Sequence, residues 1–364
     1  MPERVRVGMI GTSWWAEGYH LPILQTHPGA EIVAVCGRSR ERAEAIAGQF
    51  HIPSLYTDYR EMYEKAELDA VVIAGPDDLH YPMTMAALDR GLHVICEKPL
   101  ATAATGAEEM YRRAEAAKVK HMVNFTLRWL PTHQFLFQLI QEGFLGRIYH
   151  VNFRHLAGGQ RSGRYAWRLD PRYGGGSLGD LGSHSIDQAR WLVGEIARVS
   201  AHLAAPIPLT DPHGAPIASA NQTAMVLLEF VNGAQGVIHV SGLANVGNRG
   251  AVQLYRLDGA GGALESEIDL AGVAEVRGAR QGETSLATLP IPEQIQRAAG
   301  TRDAPAHLFP QSTADYQFVE AILKDKPLTP SFYDGWKTQQ VIEAAVESAN
   351  SGKWISVGDG AQAN

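Results

Sequence analysis

The chain predicts an α/β protein, a doubly wound parallel sheet followed by an α+β domain on a large, open, mostly antiparallel sheet. Three observations lead there. Short hydrophobic runs alternate with helix-like stretches through the first third of the chain. A glycine turn follows the first of those runs. After about residue 125 the pattern changes to strands joined by turn residues, with an Asn-Gly pair at the best of the turns. Alternation of strands and helices implies parallel strands with right-handed crossovers, whereas clustered strands bounded by helices imply a separate α+β unit.

Taken in order, the hydrophobic runs are Val5–Ile10, Ile32–Cys36, Ala70–Ala74, Val94–Cys96 and His121–Phe125. Between them lie helix-like stretches at about Trp14–Thr26, Arg40–Phe50, Tyr81–Arg90 and Thr105–Ala117. The later strands are expected at Arg147–His155, within Ala224–Gly242, at Val252–Leu257 and at Gly262–Ile268. Val231-Asn232-Gly233-Ala234 marks a hairpin inside the second of these, because both central positions of the favoured tight turn need positive φ. Helical patterns at Thr313–Leu323 and Asp334–Ser351 close the chain, and Ala204–Ser219 and Arg277–Ala306 read as surface loops. A length of 364 residues exceeds what one core serves, so two domains are expected, 1–124 and 125–364.

Composition narrows the function. Hydrophobic residues make up 45% of the chain and the net charge is −7, with charges interspersed, which leaves no basic patch for nucleic acid. The two cysteines, Cys36 and Cys96, end expected buried strands and read as small apolar core residues rather than a disulfide or a metal pair. No metal site is expected. The first apolar run is short and broken by glycine, so a secretion signal is not expected, and no run approaches a membrane span. Cytoplasm is the expected location.

Two stretches carry chemistry. In Leu92-His93-Val94-Ile95-Cys96-Glu97-Lys98-Pro99-Leu100 a buried strand ends in two opposite charges, and a proline then stops the pairing. Ligands of open parallel sheets bind outside the carboxyl ends of the strands, which makes Lys98 available for chemistry; the alternative is an ordinary ion pair with Glu97. In Tyr173-Gly174-Gly175-Gly176-Ser177-Leu178-Gly179-Asp180-Leu181-Gly182-Ser183-His184 the glycines allow close backbone approach or positive φ. Asp180 and His184 share one helix face if the helix starts early enough, a pairing suited to general acid–base work. The alternative is a capping aspartate and a core histidine. The turn Gly11-Thr12-Ser13-Trp14-Trp15-Ala16 fits the dinucleotide fingerprint of a Rossmann domain at Gly11 and Ala16, with Ser13 where a second glycine is usual.

Together these pieces resemble the Gfo/Idh/MocA oxidoreductases, the group of glucose–fructose oxidoreductase and myo-inositol dehydrogenase. The resemblance spans essentially the whole chain and rests on the Gly11 turn, Ala74-Gly75-Pro76-Asp77-Asp78-Leu79-His80, Glu97-Lys98-Pro99, Asn124-Phe125-Thr126-Leu127-Arg128, Gly175-Gly176 through His184, and Phe332-Tyr333-Asp334-Gly335. It implies an enzyme that moves a hydride between a nicotinamide and a secondary alcohol of a sugar, inositol or related polyol. Lys98 is implied to hold the reacting oxygen, His184 to exchange the hydroxyl proton, and Asp180 to pair with His184 or bind a neighbouring hydroxyl. Gly11, Thr12 and Ser13 are implied at the pyrophosphate, with Pro76, Asp77, His80 and Glu97 toward the nicotinamide ribose. Trp14 and Trp15 are bulkier than usual and either shape the nicotinamide or substrate edge or simply pack. Arg128, Trp129 and Arg168 are substrate contacts or packed residues. Asp77 replaces the family's usual asparagine and accepts but cannot donate. A homodimer or homotetramer is implied. The other classes open to this fold are an NAD-dependent glycosidase and a non-catalytic cofactor-binding sensor or corepressor.

The second strand ends in Gly37-Arg38-Ser39-Arg40 without the acid that accepts from the adenosine ribose in NAD-selective domains. Gly37, Arg38 and Ser39 therefore suggest NADP(H) over NAD(H), which stays possible, because arginine and hydroxyl donors suit a 2′-phosphate. The alternative is that these arginines are solvated residues opening the next helix.

Overall fold

The computed structural model describes residues 3–211, 213–298 and 314–358. The chain divides into two compact units, Met1–Trp129 with Ala299–Trp336, and Leu130–Ala298 with Lys337–Asn364. The first unit therefore takes in a late segment that the expected division at 124/125 assigned to the second.

The first unit is built on six strands, β1 (Val5–Ile10), β2 (Ala30–Cys36), β3 (Ser54–Tyr56), β4 (Ala70–Ile73), β5 (His93–Cys96) and β6 (His121–Val123). Their order is β3-β2-β1-β4-β5-β6 and every pair is parallel. The order reverses between β1 and β4, the switch point at which such sheets bind ligands. Val5, Val7, Met9, Val71, Val72 and Ile95 are buried, as strands covered on both faces require. The helix Ala314–Leu323 adds Phe318 and Val319 to the core on one face, and Phe332 joins the core on the other. Cys36 and Cys96 are buried thiols.

The second unit carries a nine-stranded sheet. Its strands are β7 (Ile148–Ala157), β8 (Ile196–Ala204), β11 (Thr223–Phe230), β12 (Gln235–Ser241), β13 (Ala251–Gly259), β14 (Gly262–Asp269), β15 (Ala274–Arg280), β16 (Ala287–Thr288) and β17 (Ile355–Ser356); a short ribbon, β9 (Leu209–Thr210) with β10 (Pro216–Ile217), stands apart. Only β7 and β12 pair in parallel; the other neighbours are antiparallel. The expected hairpin joins β11 to β12, but of its two central residues only Gly233 takes a positive φ, +83°, while the Asn232 side chain accepts from the Ala234 amide. Ala224, Val226, Leu228 and Phe230 of β11 alternate inward against Leu136, Ile186, Ala189 and Val341, while Met225 and Leu227 face outward. The region expected to be a loop from Arg277 overlaps β15, and its stretch 299–306 lies outside the described residues. No described helix is long and apolar enough to cross a membrane.

Candidate active site

Each unit presents one group of the expected residues at the end of a β-strand or at the start of a helix. In the first unit, Gly11 follows β1 at φ +115°, and a Cβ there would collide with the Ala74 carbonyl, its carbon only 2.9 Å away. The turn thus needs glycine both for its dihedral and for its approach to the chain leaving β4. Ser13 then caps the first helix, its hydroxyl accepting from the Ala16 amide at 3.4 Å. Ala16 is fully buried, which is the role of the third fingerprint position, close packing of helix on sheet. A glycine turn leading into a helix at the switch point fits a dinucleotide, whose pyrophosphate is held by backbone amides and the positive helix end.

The first helix is widened by a π turn over Ala16–His20. In a regular helix residues five apart stand about 140° round the axis, five steps of about 100°. The wider turn brings Trp15 and His20 to the same acceptor instead. Glu97 Oε1 receives Trp15 Nε1 at 2.6 Å, His20 Nε2 at 3.0 Å and Asn124 Nδ2 at 2.6 Å, while Oε2 receives the Lys98 amide at 3.1 Å. The other ring nitrogen of His20 meets Asp315 at 2.8 Å. Burial would raise the Glu97 carboxyl, but His20, Asn124 and Lys98 outweigh it and hold its pKa down at about 2. Burial likewise opposes protonation of His20, yet Asp315 and Glu97 push it up to about 10. Lys98 itself is half-buried at the carboxyl end of β5, and the Lys98–Pro99 bond is cis.

Several expected contacts take other positions. His80 is fully buried, with Nδ1 2.8 Å from the Pro99 carbonyl and Nε2 3.0 Å from that of Gly75. Two acceptors require two ring protons. Burial opposes that charge, but the Cys96 sulfur, the Asp77 carboxylate and the Pro99 carbonyl push the pKa up to about 10. His80 therefore ties the turns after β4 and β5 together from inside instead of facing the nicotinamide ribose. Arg128 is also buried, its guanidinium on Asp334 at 2.8 Å and on Thr329 at 3.2 Å. It anchors the Phe332-Tyr333-Asp334-Gly335 segment, and Trp129 packs against the apolar core of the first unit. Pro76 is exposed and Asp77 is buried in the first turn of the helix Asp77–Leu88. Arg38 and Ser39 are exposed, and Ser39 caps the next helix by accepting from the Arg42 amide at 3.3 Å. Gly37 has no space beside it: a Cβ would press on Thr12, with Oγ1 at 2.8 Å.

In the second unit the glycine run packs on protein. Gly176 sits at φ +68° under Asn221, whose backbone carbonyl receives the Ser177 amide at 2.8 Å and whose side chain receives the Leu178 amide at 2.7 Å and donates to the Gly175 carbonyl at 2.9 Å. The helix starts early, through a second π turn at Leu178–Gly182 that leads into Ser183–Val193. Asp180 lies on that turn with Arg168 Nε 3.4 Å away, and Arg168 itself rests over the Trp167 ring. His184 is half-buried, its ring 6.4 Å from that of His155 on β7. One turn on, Asp187 is fully buried, and burial together with its charge raises the Tyr255 hydroxyl well above the usual range. His20, Asp315, Asn221 and His155 escape a reading of the sequence. The only signal for the first two is a polar residue on an otherwise apolar helix face, beside Leu21 and Leu24 or beside Phe318 and Val319.

Among the described residues no group of His, Cys, Asp and Glu could hold a metal ion. The comparisons with known proteins decide the family. Residues 5–125 match the oxidoreductase family with an NAD-binding Rossmann fold, and residues 133–265 match the GFO/IDH/MocA C-terminal domain. The chain belongs to the Gfo/Idh/MocA oxidoreductase family. Among relatives of this Gfo/Idh/MocA protein, the levoglucosan dehydrogenase of Pseudarthrobacter phenanthrenivorans is 27% identical over 98% of each chain. A D-xylose 1-dehydrogenase (NADP(+)) of Haloferax volcanii is 34% identical over 53% of this chain and 59% of its own. A solved levoglucosan dehydrogenase in complex with NADH and levoglucosan superposes with a TM-score of 0.85 at 25% identity, covering 97% of this chain and 99% of its own.

The two doubly protonated histidines make stability pH-dependent. His20 and His80 have folded pKa values near 10 against an ordinary 6.5, so their contribution is complete below about 6.5 and is lost as the pH rises through about 10. The melting temperature is expected to fall across that interval, and His80→Asn, already lacking one charge, is expected to fall less steeply. Thermal melts at half-unit pH steps check this; parallel curves for parent and variant would remove His80 as a cause.

Proposed function

We propose that the chain is an NAD(P)-dependent dehydrogenase that moves a hydride between a secondary alcohol carbon of a sugar, inositol or related polyol and the nicotinamide. The observation that carries it is the Glu97–Lys98 pair at the carboxyl end of β5, joined through the Trp15–Glu97 hydrogen bond to the helix that follows the glycine turn of β1, in a chain with full-length sugar-dehydrogenase relatives. When bound, the dinucleotide supplies the hydride acceptor or donor. Gly11 and Thr12 with the positive end of the first helix hold the pyrophosphate, and Asp77 accepts from a ribose hydroxyl, while Glu97, buried and engaged by Trp15, His20, Asn124 and the Lys98 amide, braces the turn instead of facing the ribose. The Lys98 ammonium holds the reacting oxygen and stabilises its alkoxide character as the proton leaves. His184 takes that proton in oxidation and returns it in reduction. Asp180, steadied by Arg168, accepts from a neighbouring substrate hydroxyl.

The test is a spectrophotometric screen of sugars, inositols and sugar acids with both oxidised cofactors, starting from levoglucosan and D-xylose. Net nicotinamide reduction with at least one sugar is expected. Release of free sugar from glycosides without net reduction would move the chain to the hydrolytic class.

For the cofactor we propose NADP(H) ahead of NAD(H), through Arg38 and Ser39. Because Thr12 crowds Gly37, a negative charge is better placed at Ser39, where aspartate caps the helix as well as serine does. Ser39→Asp is expected to lower kcat/KM for NADP(H) by about tenfold or more through charge repulsion while leaving NAD(H) nearly unchanged. A parent enzyme that favours NAD(H), or a variant with an unchanged ratio, rejects this reading.

A further inference from the structure

Trp14 and Trp15 are the part of the glycine turn that the hydride-transfer scheme leaves without a task. In the sheet order β3-β2-β1-β4-β5-β6 the turn after β1 takes the pyrophosphate, and the end of β2 lies toward the adenosine ribose. β4 and β5 stand on the other side of β1, so the nicotinamide half of the dinucleotide belongs over their carboxyl ends. Trp15 reaches into that place. It stands at the head of the π turn Ala16–His20, in the helix that follows β1. Yet its Nε1 donates to Glu97 Oε1 at 2.6 Å, and Glu97 is the first residue beyond β5. The indole therefore extends past β4, the strand between the two.

The ring is also held still. Tyr19, one turn on and buried, lies parallel to it, with centroids 4.5 Å apart and an interplanar angle of 7°. Tyr19 in turn meets the His20 ring edge-on at 5.0 Å. The acceptor is fixed as well, since Glu97 Oε1 also receives His20 and Asn124. A stacked ring on one face and a hydrogen bond at the edge leave the indole one orientation. Trp15 nevertheless stays half-buried, and the exposed Trp14 stands across it at 5.3 Å and 77°. An aromatic side chain locked before its ligand arrives loses little entropy on binding. A flat ring is what such a surface receives best.

We propose that Trp15 is a nicotinamide-binding residue: its indole, anchored by Glu97 and backed by Tyr19, is the wall on which the nicotinamide ring packs. The proposal rests on the dehydrogenase reading above and deepens it, by assigning the ring-binding half of the cofactor site. Trp15 exchanges neither proton nor hydride. It fixes where the reacting ring lies.

Two measurements on the full-length protein test this by separating the ring from the rest of the dinucleotide. The probes are matched pairs, NADH with ADP-ribose and NADPH with 2′-phospho-ADP-ribose; within each pair only one member carries the nicotinamide. Titration calorimetry uses the pair whose reduced dinucleotide the parent binds more tightly. Trp15→Leu is expected to bind the nicotinamide member about tenfold more weakly than the parent, the size of a lost ring-on-ring contact. The member without the ring should stay within about twofold of the parent. In the parent labelled with 5-fluorotryptophan, the 19F line that disappears in Trp15→Phe is expected to move on adding the reduced dinucleotide and to move less with its matched ribose compound. That measurement decides the matter should Trp15→Leu fail to fold. Equal weakening of both members, or of neither, overturns the proposal, as does a Trp15 line that moves alike with both. A tryptophan that only packs gives equal weakening, because loosening the turn disturbs the pyrophosphate too. A parent whose Trp15 line answers to the nicotinamide but which reduces or oxidises no sugar overturns the dehydrogenase reading instead and leaves this one standing.

Discussion

His184→Ala is expected to lower kcat by about 10²–10⁴-fold, the usual contribution of a general acid–base group. That loss corresponds to about 3–5 kcal/mol of transition-state stabilisation. Lys98→Met, which keeps the apolar stem and removes the charge, is expected to fall in the same range. Both side chains are half-buried, and neither belongs to an apolar core cluster of its unit. Melting temperature and NADH affinity should therefore stay close to the parent values. Steady-state kinetics, a fluorescence titration and a thermal melt on the same preparations make the comparison. Near-normal turnover by the His184→Ala enzyme would remove the residue from the mechanism.

The largest effect on stability is expected at Gly176. An alanine there must hold φ +68°, which costs about 1–2 kcal/mol by itself. Its Cβ would also press into the backbone of Asn221, with the amide nitrogen only 2.8 Å away. Backbone cannot retreat as the end of a long side chain can, so the turn has to move. A loss of about 3 kcal/mol or more is expected, together with loss of activity, because the same turn starts the helix that carries Asp180 and His184. Gly179→Ala is the control: beyond its chain neighbours and the backbone of its own turn, nothing lies within 4 Å of its Cβ position. Chemical denaturation of the two variants should separate them clearly, and equal stabilities would show that Asn221 does not confine this turn.

Much of the architecture can be read along the chain because its signals are local. Val5–Ile10 and Val94–Cys96 are uniform apolar runs, as strands covered on both faces must be, and Asn232-Gly233 marks its own hairpin. β3, with three half-buried residues, is too short to show a period. β15 reads Ala-Glu-Val-Arg-Gly-Ala-Arg, so its charges and its glycine mimic a loop, although Val276 and Gly278 face inward. The site divides in the same way. Glu97 and Lys98 stand out because charges directly follow an apolar strand. The partners of Glu97 do not, since His20 and Asp315 are separated by most of the sequence and meet only in the folded chain. Arg128 shows the converse: the motif alone leaves it open between a substrate contact and a packed residue, and only the folded chain puts Asp334 against its guanidinium.

The return of Ala299–Trp336 to the first unit bears on how the protein is made. A ribosome that has just released residue 298 has delivered nearly all of the second unit but an unfinished first one. That nascent first unit lacks Phe318, Val319 and Phe332 from its interior and holds His20 and Arg128 without Asp315 and Asp334. The second unit in turn still awaits Val341 and Ala345. Neither half can close behind the ribosome in order of synthesis, so both complete their cores only once the segment running from Asp315 to Ala345 has emerged. Until then the buried charges of the first half stay in water, where they cost nothing.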